Sequence, residues 1–157
     1  MCAAAERRTV AAESVDPFNL ERFVQAQARI FQHVLAELRA GTKRGHWMWF
    51  IFPQIKGLGR SPTALEYAIS GLDEARAYLR HPVLGSRLKE CTRLVLEVQG
   101  RSAFDIFDSP DDMKFRSCMT LFAQASPGDA SPDSDVFSRA LEKYFDGLPD
   151  QLTLDRL

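Results

Sequence analysis

At 157 residues, with 45% hydrophobic side chains, 26% charged side chains and a formal net charge of -1, the chain has the make-up of one folded domain rather than a fibrous or disordered one. No basic surplus exists to grip duplex nucleic acid through many phosphates, so nucleic acid is not an expected partner and only a local basic patch is left open. Cys2, Cys91 and Cys118 are odd in number and widely spaced, which suggests free thiols in a reducing compartment rather than a disulfide framework or a zinc cluster.

Residues 1–15 carry Arg7 and Arg8 but no apolar run long enough for a signal-peptide core, and no window approaches a membrane span. A loosely ordered N-terminal segment over 1–15, a single helical domain over 16–157, a cytoplasmic location and no membrane attachment are therefore expected. Asn19 is placed to cap a long amphipathic helix whose apolar positions run from Leu20 through Phe23, Phe31 and Leu35 to Leu38, with Gly41 ending it. Trp47 to Phe52 is too short for periodicity to decide and leans to helix, stopped by Pro53. Gly57 to Pro62 reads as a loop, Thr63 to Ser70 as a helical turn or two, and Leu72 to Leu79 as a short helix ending before His81-Pro82. Helical spacing then runs from Val83 to Val98, and Phe104, Ile106 and Phe107 form an apolar knot. Asp111 to Ala125 is the next helix, with Met113 among its candidate buried residues; residues 126–135 are a loop-rich spacer, and Val136 to Phe145 a final amphipathic helix. Period-2 alternation is missing throughout. The fold class is all-α, a compact multi-helix domain with an aromatic-rich loop or short helix after the first long helix.

The candidate site grows from that aromatic block. Lys43, Arg44 and Arg60 flank Trp47 and Trp49, with Gln54 and Ser61 at its edges, and Lys114 comes from the later helix. Brought together, these residues would make a cationic pocket with an aromatic wall, suited to a stacked base and a held phosphate; solvated charge beside a core edge is the plainer alternative. His46 is a candidate acid or base. Glu66, in the apolar turn Ala64-Leu-Glu-Tyr-Ala-Ile69, would rise in pKa if turned inward and then serve as a proton donor; a surface glutamate is the alternative. Ser117 and Thr120 share a helix face with Lys114 and offer a phosphate or ribose contact strip, unless their hydroxyls return to backbone carbonyls. Neither His33 nor His81 has a partner at metal-ligand spacing, so no metal and no cofactor is expected; His81 reads as a helix-terminal cap.

The motifs Gly41-x-Lys43-x-x-His46-Trp47-Met48-Trp49-x-x-x-Pro53-Gln54, Glu66-Tyr67-Ala68-Ile69, Tyr78-Leu79-x-His81-Pro82-x-Leu84-Gly85 and Asp112-x-Lys114-x-x-Ser117-x-Met119-Thr120-Leu121-Phe122 resemble the domain-of-unknown-function family numbered 1810. The resemblance implies a mainly helical fold and no established activity. Members have sometimes carried the label calpastatin, although no inhibitor logic is visible here. Cys118 stands where a second serine beside Ser117 is expected, which leaves a shared hydroxyl role there in question.

Two functions stay open from the sequence. One is an intracellular protein for an anionic, nucleotide-like or ADP-ribose-like small molecule, in its enzymatic form a hydrolase of an N-glycosidic bond with Glu66 or His46 as acid or base. A Glu66-Tyr67 pair followed by Lys114-Phe115 is similar to a bacterial family that processes ADP-ribose and riboflavin intermediates. The other is a non-catalytic protein-interaction module, its partner unnamed by the sequence, whose aromatic block is core or partner groove.

Overall fold

A computed structural model describes residues 16–126 and 136–157, so the segment 1–15 and nearly all of the spacer 126–135 lie outside the described residues. The described residues form ten helices: α1 (Glu21–Ala28), α2 (Phe31–Arg39), α3 (Met48–Ile51), α4 (Pro62–Glu66), α5 (Leu72–Arg80), α6 (Leu84–Glu97), α7 (Ala103–Phe107), α8 (Asp111–Ala125), α9 (Val136–Phe145) and α10 (Gln151–Leu154). The all-α expectation holds. A single parallel bridge between Ile55 and Ile69 is the extended pairing among the described residues, and it ties the loop after α3 to the segment after α4.

The first long helix is in fact two. The amide of Ile30 reaches the carbonyl of Gln27 in a tight turn, which re-aims the chain between α1 and α2. Two different neighbours account for the break: α1 packs against α3, whereas α2 packs against α6. Gln27 fixes the first of these, its amide donating to the Phe50 carbonyl at 2.7 Å and to the Tyr78 hydroxyl at 3.2 Å. Asn19 is not the cap. It sits at φ 52°, and the Asp16 carboxylate instead accepts the amides of Leu20 and Glu21.

The core centres on α8, which packs against α5, α7, α9 and α10. Phe115 is fully buried, stacks on Phe107 at 4.8 Å and meets Phe52 edge-on at 5.1 Å. Such pairs add roughly 0.5–1.5 kcal/mol beyond their burial. Met113 is exposed rather than buried, because it lies on the face of α8 away from Phe115 and Phe122. The apolar knot is the short helix α7, opened by a reciprocal cap in which the Ser102 hydroxyl accepts the Asp105 amide and the Asp105 carboxylate accepts the Ser102 amide.

Arg22 binds α1 to the region that frames the site. Its guanidinium donates to the carbonyls of Phe18, Asn19, Glu66 and Ala68 and to the Glu74 carboxylate at 2.8 Å. Glu74 is the buried carboxylate of this region, and its second oxygen accepts the Ser70 amide.

Candidate functional site

Three sequence-distant elements meet at the start of α8. Lys43, in the loop after α2, places its ammonium 2.8 Å from Asp111, and Lys114, one turn into α8, lies 3.0 Å from the other oxygen of the same carboxylate. Burial alone would raise the Asp111 pKa, but the hydrogen bonds and charges of the two lysines outweigh it and hold the carboxyl below its ordinary value. The Lys114 ammonium also sits 4.0 Å from the Trp49 ring centre, and that of Lys43 is 5.2 Å from Trp47. Lysines from two distant segments thus meet the two tryptophans here, with Asp111 as the joint between them.

Glu37 on α2 shapes the neighbouring turn. Its carboxylate accepts the amides of Arg44 and Gly45 and the indole N–H of Trp47. Burial works to raise its pKa, and these three donors together with Lys43 more than offset that and lower it. Trp47 is thereby locked into the core with Met48, Ile51 and Phe52. It is not an open stacking platform. Trp49, one residue on, is only partly buried and forms a wall.

That wall borders a cleft shared with Gln54, Gly57, Gly59 and Tyr67. Gln54 is 8% exposed, and among the described residues its side-chain amide has no hydrogen-bond partner. Its backbone is held by the Ile69 amide, which donates to the Gln54 carbonyl at 2.9 Å. Gly59 is required by close approach: a Cβ there would stand 2.6 Å from that of Ala64 and 3.2 Å from the Trp49 ring. The cleft holds about 10 Å³, room for at most one water molecule. Arg156, after α10, lies across the loop and donates to the Gly57 carbonyl at 3.3 Å. Tyr67 has its pKa raised by burial and by the adjacent Glu66 carboxylate, with Arg22 acting in the opposite sense.

Several expected site residues stand elsewhere. Glu66 is exposed at the end of α4, so the apolar pocket imagined for it is absent. His46, Arg44 and Arg60 are exposed, and among the described residues no hydrogen bond or ion pair joins His46, Glu66 and Lys114. Ser61 caps α4, its hydroxyl accepting the Ala64 amide at 3.1 Å. Ser117 and Thr120 are buried and committed: Ser117 donates to Met113 and lies 2.8 Å from the Asp150 carboxylate, while Thr120 donates to Arg116 and accepts the Asp150 amide. They anchor the C-terminal segment instead of forming a contact strip. His81 does cap a helix, its Nδ1 accepting the amides of Val83 and Leu84 at the start of α6.

Tyr67 and Asp111 are the site residues that sequence reasoning passed over. Each had a signal: Tyr67 follows Glu66 in a quoted motif, and Asp111 precedes Lys114 by one helical turn. No helix among the described residues is long and apolar enough to cross a membrane.

The structure is similar to the crystal structure of the conserved hypothetical protein Rv1873 from Mycobacterium tuberculosis, with a TM-score of 0.85 and 55% sequence identity over 90% of this chain and 98% of that one. No curated protein matches. Residues 17–157 match the family described as a protein of unknown function, DUF1810, and the chain belongs to that family.

Proposed function

We propose that the protein binds an anionic, nucleotide-like or ADP-ribose-like small molecule in the cleft beside Trp49, as a cytoplasmic protein. The observation that carries this reading is Gln54, a residue 8% exposed whose amide reaches the solvent of the cleft and has no hydrogen-bond partner among the described residues, next to an aromatic wall backed by the Lys114 ammonium. A ligand offering one acceptor and one donor would pair with that amide in place of solvent. The flat ring of the ligand lies against Trp49, its polar edge against Gln54, and its charge toward Lys114. Since the cleft takes about one water, the loop through Gly57 and Gly59 must swing outward, releasing Arg156 from the Gly57 carbonyl. If an N-glycosidic bond is cleaved there, Glu66 is the carboxylate beside the cleft residue Tyr67, and the ligand itself would have to take it out of water.

Gln54→Leu tests this. Leucine removes the amide at similar size, so the variant should keep the fold while losing the polar contact to the ligand. A ligand at about 100 times its dissociation constant adds roughly 2.7 kcal/mol to the folded state. Thermal melts with ADP-ribose, NAD and nucleoside monophosphates should show such a shift in the parent protein and none in Gln54→Leu. A shift retained in the variant, or absent from both, contradicts the proposal.

The burial of Trp47, Met48, Ile51 and Phe52, together with the small cleft, favours the second reading of a non-catalytic interaction module whose aromatic block is core. A blank across every ligand would transfer the assignment to it.

A further inference from the structure

A second hollow, of about 620 Å³, opens where α5 runs into α6, and its lining includes Arg80, His81, Ser86, Lys89, Glu90 and Arg93. We propose that this hollow is a separate binding site for a small molecule carrying a diphosphate or triphosphate group.

Charge is the first argument. Three cations and one carboxylate face one hollow in a chain whose overall charge is -1. Elsewhere Arg22, Lys43, Lys114 and Lys143 are committed to carboxylates or backbone carbonyls. Arg80 and Lys89 have neither an ion pair nor a hydrogen bond among the described residues. Arg80 and Lys89, facing one hollow without ion pairs of their own, repel each other, and a polyanion placed between them relieves that repulsion.

The backbone supplies the shape. A Cβ on Gly85 would stand 2.1 Å from the Leu79 carbonyl oxygen, so α5 and α6 meet backbone to backbone and no side chain rises from position 85 into the hollow. Ser86, Lys89, Glu90 and Arg93 recur at helical spacing along one face of α6, and Arg80 comes to the same lining from the end of α5. Cations from two rigid helices thus converge, with the guanidinium of Arg80 able to take two phosphate oxygens at once.

His81 adds a neutral donor. Its Nδ1 accepts the amides of Val83 and Leu84, at 3.1 and 3.2 Å, which leaves the proton on Nε2. These same bonds occupy the first free amides of α6, so the site is built from side chains rather than from the helix terminus. The volume falls within the roughly 300–1,000 Å³ usual for small-molecule sites.

Calorimetric titration with inorganic pyrophosphate and triphosphate at constant ionic strength tests the proposal. Binding of one polyanion per chain is expected, weakened at least tenfold in Arg80→Ala/Lys89→Ala and unchanged in Lys114→Ala. Glu90→Gln, which removes the one carboxylate, should bind several-fold more tightly, a gain that misfolding cannot imitate. No binding, equal affinity in the double variant, or equally tight binding of an oligoglutamate peptide of the same charge would overturn it; the last would mark a general cationic patch.

Discussion

Gln54 and Asp111 represent opposite solutions to placing a polar group at the edge of the core. The amide of Gln54 has no hydrogen-bond partner among the described residues and stays in reach of solvent beside Trp49, whereas the carboxylate of Asp111 is paired twice, by Lys43 and Lys114. Glu37 belongs with Asp111, since both carboxyls are held below their ordinary values in the folded chain. A depressed folded pKa means that the unfolded chain takes up protons first as pH falls. The stability these groups contribute is therefore fully present above the ordinary carboxylate value of about 4 and is lost as pH drops through the lower folded values. Melting temperature should stay level from neutrality to about pH 5 on this account and fall below about pH 4. Asp111→Asn should be less stable than the parent at neutral pH, because it leaves Lys43 poorly paired, and should show a shallower acid fall. Thermal melts across pH that superimpose for the two proteins would contradict this. Residue type offered Lys43, Trp49 and Lys114 as a possible cationic and aromatic group, but nothing in the sequence placed Lys114, on the later helix, beside the block. The fates of Ser117 and Thr120 were not legible either. Their spacing on α8 says which face they share but not that Asp150, 30 and 33 positions away in the chain, occupies it.

At the scale of elements, α8 and α9 follow the limits read from the sequence, α9 through its one apolar face and α8 as a helix buried on nearly all sides from Ser117 to Phe122. The turn at Arg29–Ile30 escaped notice because Phe23, Gln27, Phe31 and Leu35 keep perfect helical spacing while the neighbour changes from α3 to α6. Periodicity records which side is buried and not against what. Short helices are legible only through their caps, and the Ser102-x-x-Asp105 pattern was such a signal for α7. The crossing of α5 and α6 makes the sharpest element-scale prediction. Alanine at position 85 would gain about 1 kcal/mol of helix propensity over glycine. It would also force the Leu79 carbonyl away, since the two would otherwise stand 2.1 Å apart. Overpacking of this kind costs roughly 1–3 kcal/mol and more where backbone must move, so Gly85→Ala should be destabilised by about 2 kcal/mol, read as a melting temperature lower by roughly 4–8 °C. Gly71→Ala, where no atom lies within 4 Å, is the control. Equal losses in the two variants would show that contact with Leu79 is not what excludes a side chain.

Over the whole molecule, the aromatic block divides its labour. Trp47 and Phe52 belong to a core that runs through Phe115 and Phe107, while Trp49 turns to the cleft with Lys114 over its ring. The C-terminal segment closes the same region from outside, anchored at Asp150 by Ser117 and Thr153 and reaching Gly57 through Arg156. A ligand entering beside Trp49 therefore has to move a loop held at two ends, one by the bridge at Ile55 and one by Arg156. The chain contains two tryptophans, so Trp47→Phe leaves Trp49 as the single indole emitter. Titrating that variant with ADP-ribose and NAD while following its emission measures directly what happens at the cleft wall. The account predicts a saturable change in emission that disappears when Gln54→Leu is added; emission that stays constant into the millimolar range of every ligand would contradict it.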